Sequence, residues 1–556
     1  MSNPATPAAQ TSHPLGAVPK DRIAGLKENW KHDIVSGFIL FLIAMPLSLG
    51  IAGASGMPPM AGIFAAIIGG LLVSQTSGSF VTINGPAAGL IVVVFGAVEK
   101  LGGGAEGYHG TLAAIVISGC LLLTMGLCKA GELSKFFPSS VVHGMLASIG
   151  ITIMLKQFPL MLGTAFPKPV KEPLALVMAL PYTVTHFNPE IAAIGCVGLV
   201  LLILLTLVKT GFIKKIPPPI IVVLAGCTIG TIINITEAHT YTAMGQTFAI
   251  DPKKMLVQLP TNFTESFSGP DWGALAKAAF WSCVVSITLV QGIETVLSCS
   301  AVDRLDPYKR QANSSRDLAA VGLGTAVSGM IGGLPMIAEI VRSTANIANG
   351  ARTRWSNFFH GLFLLVFVST CAALINKIPI ASLAALLVFT GYRLASPKVF
   401  KEAYEIGWEQ LLLFCTTAIT ALLTDLLVGV AAGVAVKFLL HLLRGVPIGQ
   451  LFNPDVTVAS EDDGTIKVSI AKSAVFSNYL AIKKHLDKIE QGKKIVIDLS
   501  RATFIDHTVM EHLHDFQRNY RNAGGSCEIT GLELHKANSH HPTACRRLTT
   551  TIAGAK

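Results

Sequence analysis

About fourteen apolar segments lie between residues 34 and 443, and several of them are too short to cross a bilayer alone. They fall near 34–55, 60–75, 87–98, 111–128, 140–161, 191–208, 218–235, 275–298, 317–332, 340–350, 356–375, 380–394, 408–424 and 427–443. A helix needs about 20 apolar residues to span hydrocarbon. Hydrocarbon also demands that every backbone polar group find a partner within the protein. The segments starting at Ala87 and Ile340 are the shortest, and the last pair is divided only by Thr424-Asp425. The chain is therefore a polytopic α-helical membrane protein whose series of spans is interrupted. Composition agrees: the 556 residues are 51% hydrophobic and 14% charged, against about 25% charged in soluble domains. The 52 Gly and 28 Pro suit membrane helices that pack closely and break.

The interruptions carry the chemistry. Gly332-Gly333-Leu334-Pro335-Met336-Ile337-Ala338-Glu339 reads as a hinge that turns helical around Ile340, and it brings Glu339 and Arg342 to membrane depth. Irregular backbone survives there only when covered by protein or facing a water-filled cavity. Charge at that depth marks a functional site or a snorkelling side chain. An earlier stretch has the same form: Ser79-Phe80-Val81-Thr82-Ile83-Asn84 is polar and extended, and Gly85-Pro86 precedes a helix from Ala87. Two broken segments in corresponding places point to an inverted repeat of seven spans plus seven. Their helix starts would face each other near the midplane, where free N–H groups and two positive dipole ends suit an anion.

Loop charge sets the expected orientation. Lys129, Lys135, Lys209, Lys214, Lys215, Arg304, Lys309, Arg310, Arg316, Arg352, Arg354, Arg393, Lys398 and Lys401 fall on one side. Lys168, Lys171, Lys253, Lys254 and Lys377 fall on the other, with Glu172, Glu190, Asp251, Glu265 and Asp271. The excess of basic residues on cytoplasmic loops then puts both termini in the cytoplasm of a cell membrane. The same bias accounts for the net charge of +10 without nucleic acid. Residues 1–20 are polar and do not read as a signal peptide, and 21–32, with Trp30, read as a basic interfacial helix. The ten Cys contain no C-x-x-C pair, so neither a disulfide framework nor a zinc site is expected.

Composition changes near residue 452. Turn sequence at 453–455 and 461–464 is followed by a strand at 466–470, a helix at 478–491, a strand at 494–499, a helix at 507–523 and a strand at 526–530. This alternation is a small α/β domain. The organisation expected is a cytosolic segment 1–32, a membrane domain 33–450, an α/β domain 455–534 and a loosely ordered tail 535–556.

Five pieces in order carry a family resemblance: Asn84-Gly85-Pro86-Ala87-Ala88, Glu294 with Ala301-Val302-Asp303, Gly332-Gly333-Leu334-Pro335, Arg342-Ser343 with Asn346, and Gly350-Ala351-Arg352-Thr353-Arg354. From about Asp33 to Leu534 the chain resembles the SulP anion transporters, bacterial relatives of solute carrier family 26, with a C-terminal STAS domain. The resemblance implies core and gate domains, a cytosolic STAS domain, a homodimer and transport of small anions such as sulfate, bicarbonate, chloride or dicarboxylates. By position it implies an anion site at Ala87, Ala88, Val341, Arg342 and Ser343, lined by Ser48 of the first span. Many members carry Gln after the Pro of that span. Leu47 stands here, as an apolar residue does in bicarbonate-type members, which favours bicarbonate over sulfate.

Glu294 lies in mid-span, where a carboxylate binds a cation, takes up a proton, or serves as a protonated or Arg-paired structural acid. Ser298 follows one turn later on the same face and could add an oxygen to sodium. Glu339 is a second coupling candidate, and also a partner that would cancel the charge of Arg342. In the STAS domain the position often phosphorylated after the family's Asp holds His507, between Asp506 and Thr508, so Asp506 is expected to cap the following helix rather than serve a phosphoswitch. His512 and His514 point to different helix faces, which argues against a metal site. No nucleophile elbow, P-loop or zinc-hydrolase motif occurs, so an enzyme is not expected. Three functions remain open: cation-coupled uptake of bicarbonate or sulfate, proton-coupled dicarboxylate uptake or anion exchange, and a non-transporting membrane scaffold whose STAS domain recruits a regulatory partner.

Overall fold

The computed structural model describes residues 18–549 apart from 130, 132–137, 165, 167–172, 208–215, 244, 261–262, 425, 463 and 523. Of the charges used for orientation, Lys135, Lys168, Lys171, Glu172, Lys209, Lys214 and Lys215 lie outside the described residues, as does Asp425.

The first half contains α1 (Arg22–Ala54), α2 (Pro59–Ile68, continued by a π turn Gly69–Val73), β1 (Ile83–Gly85), α3 (Ile91–Lys100), α4 (Gly104–Leu127), α5 (Ser139–Met161), α6 (Pro189–Leu207) and α7 (Pro218–Ile232). A hairpin of β2 (His239–Ala243) and β3 (Gln246–Ile250) joins the halves. The second half contains α8 (Ala278–Leu305), α9 (Ser314–Met330), β4 (Ile337–Glu339), α10 (Ile340–Ala348), α11 (Trp355–Thr370), α12 (Ile380–Leu394), α13 (Trp408–Leu423) and α14 (Leu426–Leu443). Each half thus puts a strand and a short helix third in a run of seven. Prolines at the first position of α2, α6 and α7 start those helices where a missing N–H costs nothing. Pro46 inside α1 removes one intrahelical bond.

Three expectations change. The stretch 21–32 is not a separate interfacial helix, since α1 runs unbroken from Arg22 into the first span. Arg354 holds its start, with Nε and Nη2 on the Asp21 carboxylate at 2.7 and 2.8 Å. Asp33, buried, accepts the backbone N–H groups of Arg352 and Thr353 at 2.9 and 3.1 Å. The boundary drawn at residue 32 therefore cuts a helix tied at both points to the loop before α11. The span expected at 356–375 breaks at Cys371 and restarts as a single turn, Ala372–Ile375.

Helices α1 and α11 pack together, as do α4 with α8 and α9; this is the core. Helix α5 packs on α12 and α13, α13 on α14, and α6 on α7 and α12; this is the gate. The two bodies meet where α1 packs on α12 and α7, and where α5 and α12 touch the 3₁₀ turn Ala88–Leu90 that opens α3.

The C-terminal domain comprises β5 (Asp455–Ser460), β6 (Ile466–Ala474), α15 (Tyr479–Leu486), β7 (Lys494–Asp498), β8 (Ala502–Ile505), α16 (His507–Asn522), β9 (Ser526–Thr530), β10 (His535–Ala537) and β11 (Arg546–Leu548). The sheet order is β10-β11-β8-β6-β7-β9, with β5 antiparallel to the first part of β6. Ile470, Ile482, Ile497, Ile505 and Leu513 are fully buried at its centre. The helix expected to reach residue 491 ends at Leu486, and the turn sequences at 453–455 and 461–464 bracket a strand. The tail is not loose from residue 535. The buried His535 ring sits between the carbonyls of Gly531 and Ala502 at 2.9 and 2.7 Å, and β11 extends the sheet from β8. The domain therefore passes the boundary at 534.

Candidate functional site

The two broken segments meet as an antiparallel pair, with Ile83 opposite Glu339, Asn84 opposite Ala338 and Gly85 opposite Ile337. Extended backbone at membrane depth must be satisfied from outside itself, and polar side chains do this. Asp317 accepts from the N–H groups of Gly78 and Ser79 and from the Ser79 hydroxyl at 2.9, 3.0 and 2.7 Å. Asn346 donates to the Val81 carbonyl at 2.9 Å and accepts from Ser36 at 2.8 Å. On the second segment Gly332 takes φ +98°, a region that favours glycine. The Ser328 hydroxyl donates to the Leu334 carbonyl at 2.7 Å, and Gln291 Nε2 to the Met336 carbonyl at 2.7 Å. Gln291 also bonds Thr325. Sequence reading passed over Ser36, Gln291, Asp317 and Thr325. A polar residue repeated inside an apolar span was the available signal.

Around this strand pair stand Glu294, Glu339, Arg342 and His360. Glu294 on α8 is 6% exposed, and its Oε1 has no hydrogen-bond partner. Its carboxylate presses against the start of α3 so closely that a Cβ at Gly89 would stand 1.9 Å from Oε1 and 2.2 Å from Oε2. Arg342, fully buried, places Nε 3.0 Å from Glu339 Oε2 and donates from Nη2 to the Pro86 carbonyl at 3.3 Å. Glu339 lies within electrostatic reach of Glu294, and Arg342 within reach of the buried His360, a residue sequence reading did not single out.

The structure separates the proposed anion residues. Ala87 and Ala88 sit at the start of α3 beside Glu294. Val341 is half-exposed and turned away from the buried Arg342. The Ser343 hydroxyl donates to the Glu339 carbonyl at 2.5 Å and accepts from Ile83 N–H at 2.9 Å. It is fully buried, and its hydroxyl joins the two segments. Ser48 is fully buried on α1 with an unpartnered hydroxyl, and Ser298 is buried one turn beyond Glu294. A cavity of about 380 Å³ lies between α1, α7 and α11, lined by Leu42, Met45, Ile220, Val223 and Phe367. Its lining is mostly apolar, with Thr231, Asn234 and Lys377 among it, and no residue of the helix starts lines it.

Asp506 does cap α16, accepting from Val509 N–H at 3.1 Å. It does more than the sequence implied. Its other oxygen accepts from Phe476 N–H at 2.8 Å and faces Lys437 Nζ and His441 Nε2 of α14 at 3.7 and 3.4 Å. Burial opposes ionisation of Asp506, but Lys437 and then His441 outweigh it and hold the carboxyl well below the usual range. His507 and Thr508 are buried beside it, 4% and 1% exposed, so the position matching the family's phosphorylation site is closed off. Glu409 of α13 pairs with Arg444 and accepts from Asn538 at 3.1 Å.

A helical membrane body with two broken helices apposed, carrying a small α/β domain, is the architecture of a transporter. The model of the sulfate permease family matches residues 30–417 and that of the STAS domain residues 457–534. The chain belongs to the sulfate permease family, whose members are transporters and not enzymes. It is 23% identical over 528 residues to a putative sulfate transporter, YvdB, of Bacillus subtilis (strain 168), covering 92% of this chain and 95% of the relative. It is 25% identical over 476 residues to the bicarbonate transporter BicA of Picosynechococcus sp., covering 85% and 78%. Among solved structures, the transmembrane domain of a cyanobacterial BicA aligns with TM-score 0.59 at 23% identity, covering 73% of this chain and 97% of that one. The overall structure of SLC26A9 aligns with TM-score 0.64 at 14% identity, covering 91% and 85%. The fold is thus shared across both the membrane and STAS domains.

Proposed function

We propose that the chain is a secondary active transporter of a small inorganic anion, bicarbonate or sulfate, coupled to sodium or protons at Glu294. One observation carries this reading: the two helix starts face each other on a strand pair, with a buried carboxylate, one of whose oxygens has no hydrogen-bond partner, against one of them. The anion would sit at the N-terminal ends of α3 and α10, where backbone N–H groups and helix dipoles favour negative charge. Without a cation, the Glu294 carboxylate beside Gly89 opposes an anion there. Sodium held by Glu294 and Ser298, or a proton on Glu294, removes that repulsion, so cation and anion favour each other's binding reciprocally. Arg342, paired with Glu339 in this state, would swing its free guanidinium edge toward the anion. Core movement against the gate then exposes the loaded site alternately, in a membrane with both termini cytoplasmic. The names of the relatives support sulfate or bicarbonate as cargo, and Leu47 favours bicarbonate.

Radiolabelled bicarbonate and sulfate uptake into proteoliposomes, under an imposed sodium gradient and then a proton gradient, tests the reading. Gradient-driven accumulation is expected, and Glu294→Gln is expected to abolish it while anion binding stays measurable. Accumulation retained in Glu294→Gln removes that residue from coupling. Absence of any flux returns the chain to the class of membrane-anchored STAS scaffolds.

A further inference from the structure

Helix α5 of the gate carries one Asp, Glu, Lys or Arg along its whole length, Lys156. An ionisable group inside a span is costly and points to function with a nameable partner. The partner here is aromatic and lies on the other body: Lys156 Nζ sits 3.2 Å from the ring centroid of Phe95 on α3 of the core. The half-buried Phe95 ring is backed by the turn after α1, where a Cβ at Gly56 would meet its Cδ2 at 3.4 Å. Glu99, one turn along α3, is within electrostatic reach of the ammonium. On α5, Ile153 is 1% exposed and shares a cluster with Leu90, in the turn that opens α3. Lys156 follows three residues later, on the same face. It stands farther from the STAS domain, since the start of α5, with Ser139 and His143, is the part within electrostatic reach of Glu511. Apolar packing at the helix start is thus followed, toward the face opposite the STAS domain, by one cation clamped across core and gate.

Resting on the transport reading above, we infer that Lys156 is an affinity-determining residue for anion arriving from the face opposite the STAS domain. It closes that face by its contact with Phe95. When the core moves and the ring withdraws, the freed ammonium attracts the anion and hands it to the helix start of α3. Lys156 is suited to this because a cation–π contact is worth less than a charge-assisted hydrogen bond to an oxyanion.

The test uses the full chain in proteoliposomes with the STAS domain inside, protected from added protease, and initial rates of bicarbonate and sulfate uptake against concentration. Lys156→Met is expected to raise the half-saturating concentration about tenfold or more, with a smaller change in limiting rate, and Lys156→Arg to stay near wild type. Phe95→Leu, which frees the ammonium, is expected to lower the half-saturating concentration. A purely structural contact would move Lys156→Met and Phe95→Leu in the same direction, and that result overturns the inference. So does an unchanged half-saturation in Lys156→Met. Should that variant fail to fold, a half-saturation in Phe95→Leu at or above wild type overturns it equally. A wild-type chain that transports neither anion overturns the transport reading itself, and this inference with it.

Discussion

The two lead-ins to the short helices have the same backbone and opposite chemistry. Each has three extended residues that pair with the other's residue for residue; the first reaches its helix through Pro86, Ala87 and a 3₁₀ turn, the second directly. The first lead-in, at Ile83–Gly85, brings no charge. Its helix begins Ala-Gly-Leu, and its ionisable neighbour, Glu294, comes from α8. The second brings both members of an ion pair in its own sequence, Glu339 and Arg342. The repeat therefore preserves geometry, while the divergence between its copies concentrates function. One helix start is left bare with a carboxylate against it; the other carries an ion pair of its own.

The comparison breaks most visibly at the second start. Arg342→Met leaves Glu339 buried without its cation and should cost about 3–5 kcal/mol, read as a large drop in the melting temperature of the purified chain. Combining it with Glu339→Gln should recover much of that loss, while Glu294→Gln at the first start should leave melting nearly unchanged. A single Arg342→Met variant that melts like the wild type would deny that the pair is uncompensated without its cation. The same small change at two glycines sharpens the contrast. Gly89→Ala drives a methyl into the Glu294 carboxylate and should cost about 1–3 kcal/mol together with driven uptake. At Gly85 the nearest atoms to a new Cβ are the ends of Arg342 and Glu339 at 3.1 and 3.3 Å, so Gly85→Ala should transport much as wild type does. Equal losses at both would mean that Glu294 retreats freely.

Much of this was legible in the sequence. Spans declare themselves by length and apolar content, and a Pro after a polar, extended stretch marks a broken helix whatever the context. What was not legible depends on contacts distant in the chain. Ser343 looked like an anion ligand because it follows Arg342, but its hydroxyl faces Ile83, 260 residues away. Asp506 looked like a local cap because its cap partner is three residues on, whereas Lys437 and His441 belong to another domain. The tail from His535 looked loose because a three-residue strand has no period to read. Lys156 went unremarked because a single charge near a helix end reads as an interfacial residue until the ring beneath it is seen.

Smaller effects complete the order. Ser343→Ala removes the hydroxyl that joins the lead-ins and should cost about 1–2 kcal/mol without a change in anion half-saturation; a change there would restore Ser343 as a ligand. Smallest, and away from both starts, is a pH effect. Burial pushes His507 below its ordinary value despite Glu511 and the Thr543 carbonyl. Its contribution to stability is thus present above about pH 6.5, the unfolded value, and is lost as pH falls and the unfolded chain takes up the proton. Melting between pH 7.5 and 5.5 should fall by an amount equivalent to about 1 kcal/mol. His507→Gln should flatten that slope, with uptake at pH 7.5 unaffected.

The seam between the STAS domain and the membrane has a mechanical consequence. The contacts traced across it run to α14 through Lys437 and His441 and to α13 through Glu409, and the start of α5 at Ser139 and His143 lies within electrostatic reach of Glu511. All three helices belong to one body, and neither short helix starts from it. On the transport reading proposed above, the body that carries both short helices would shift without hauling a folded domain through the surrounding water, so viscous drag would fall on lipid and neighbouring helices. On that same reading a force applied to the STAS domain would reach the stator, not the shuttle, and set how tightly the shuttle is gripped rather than where it stands.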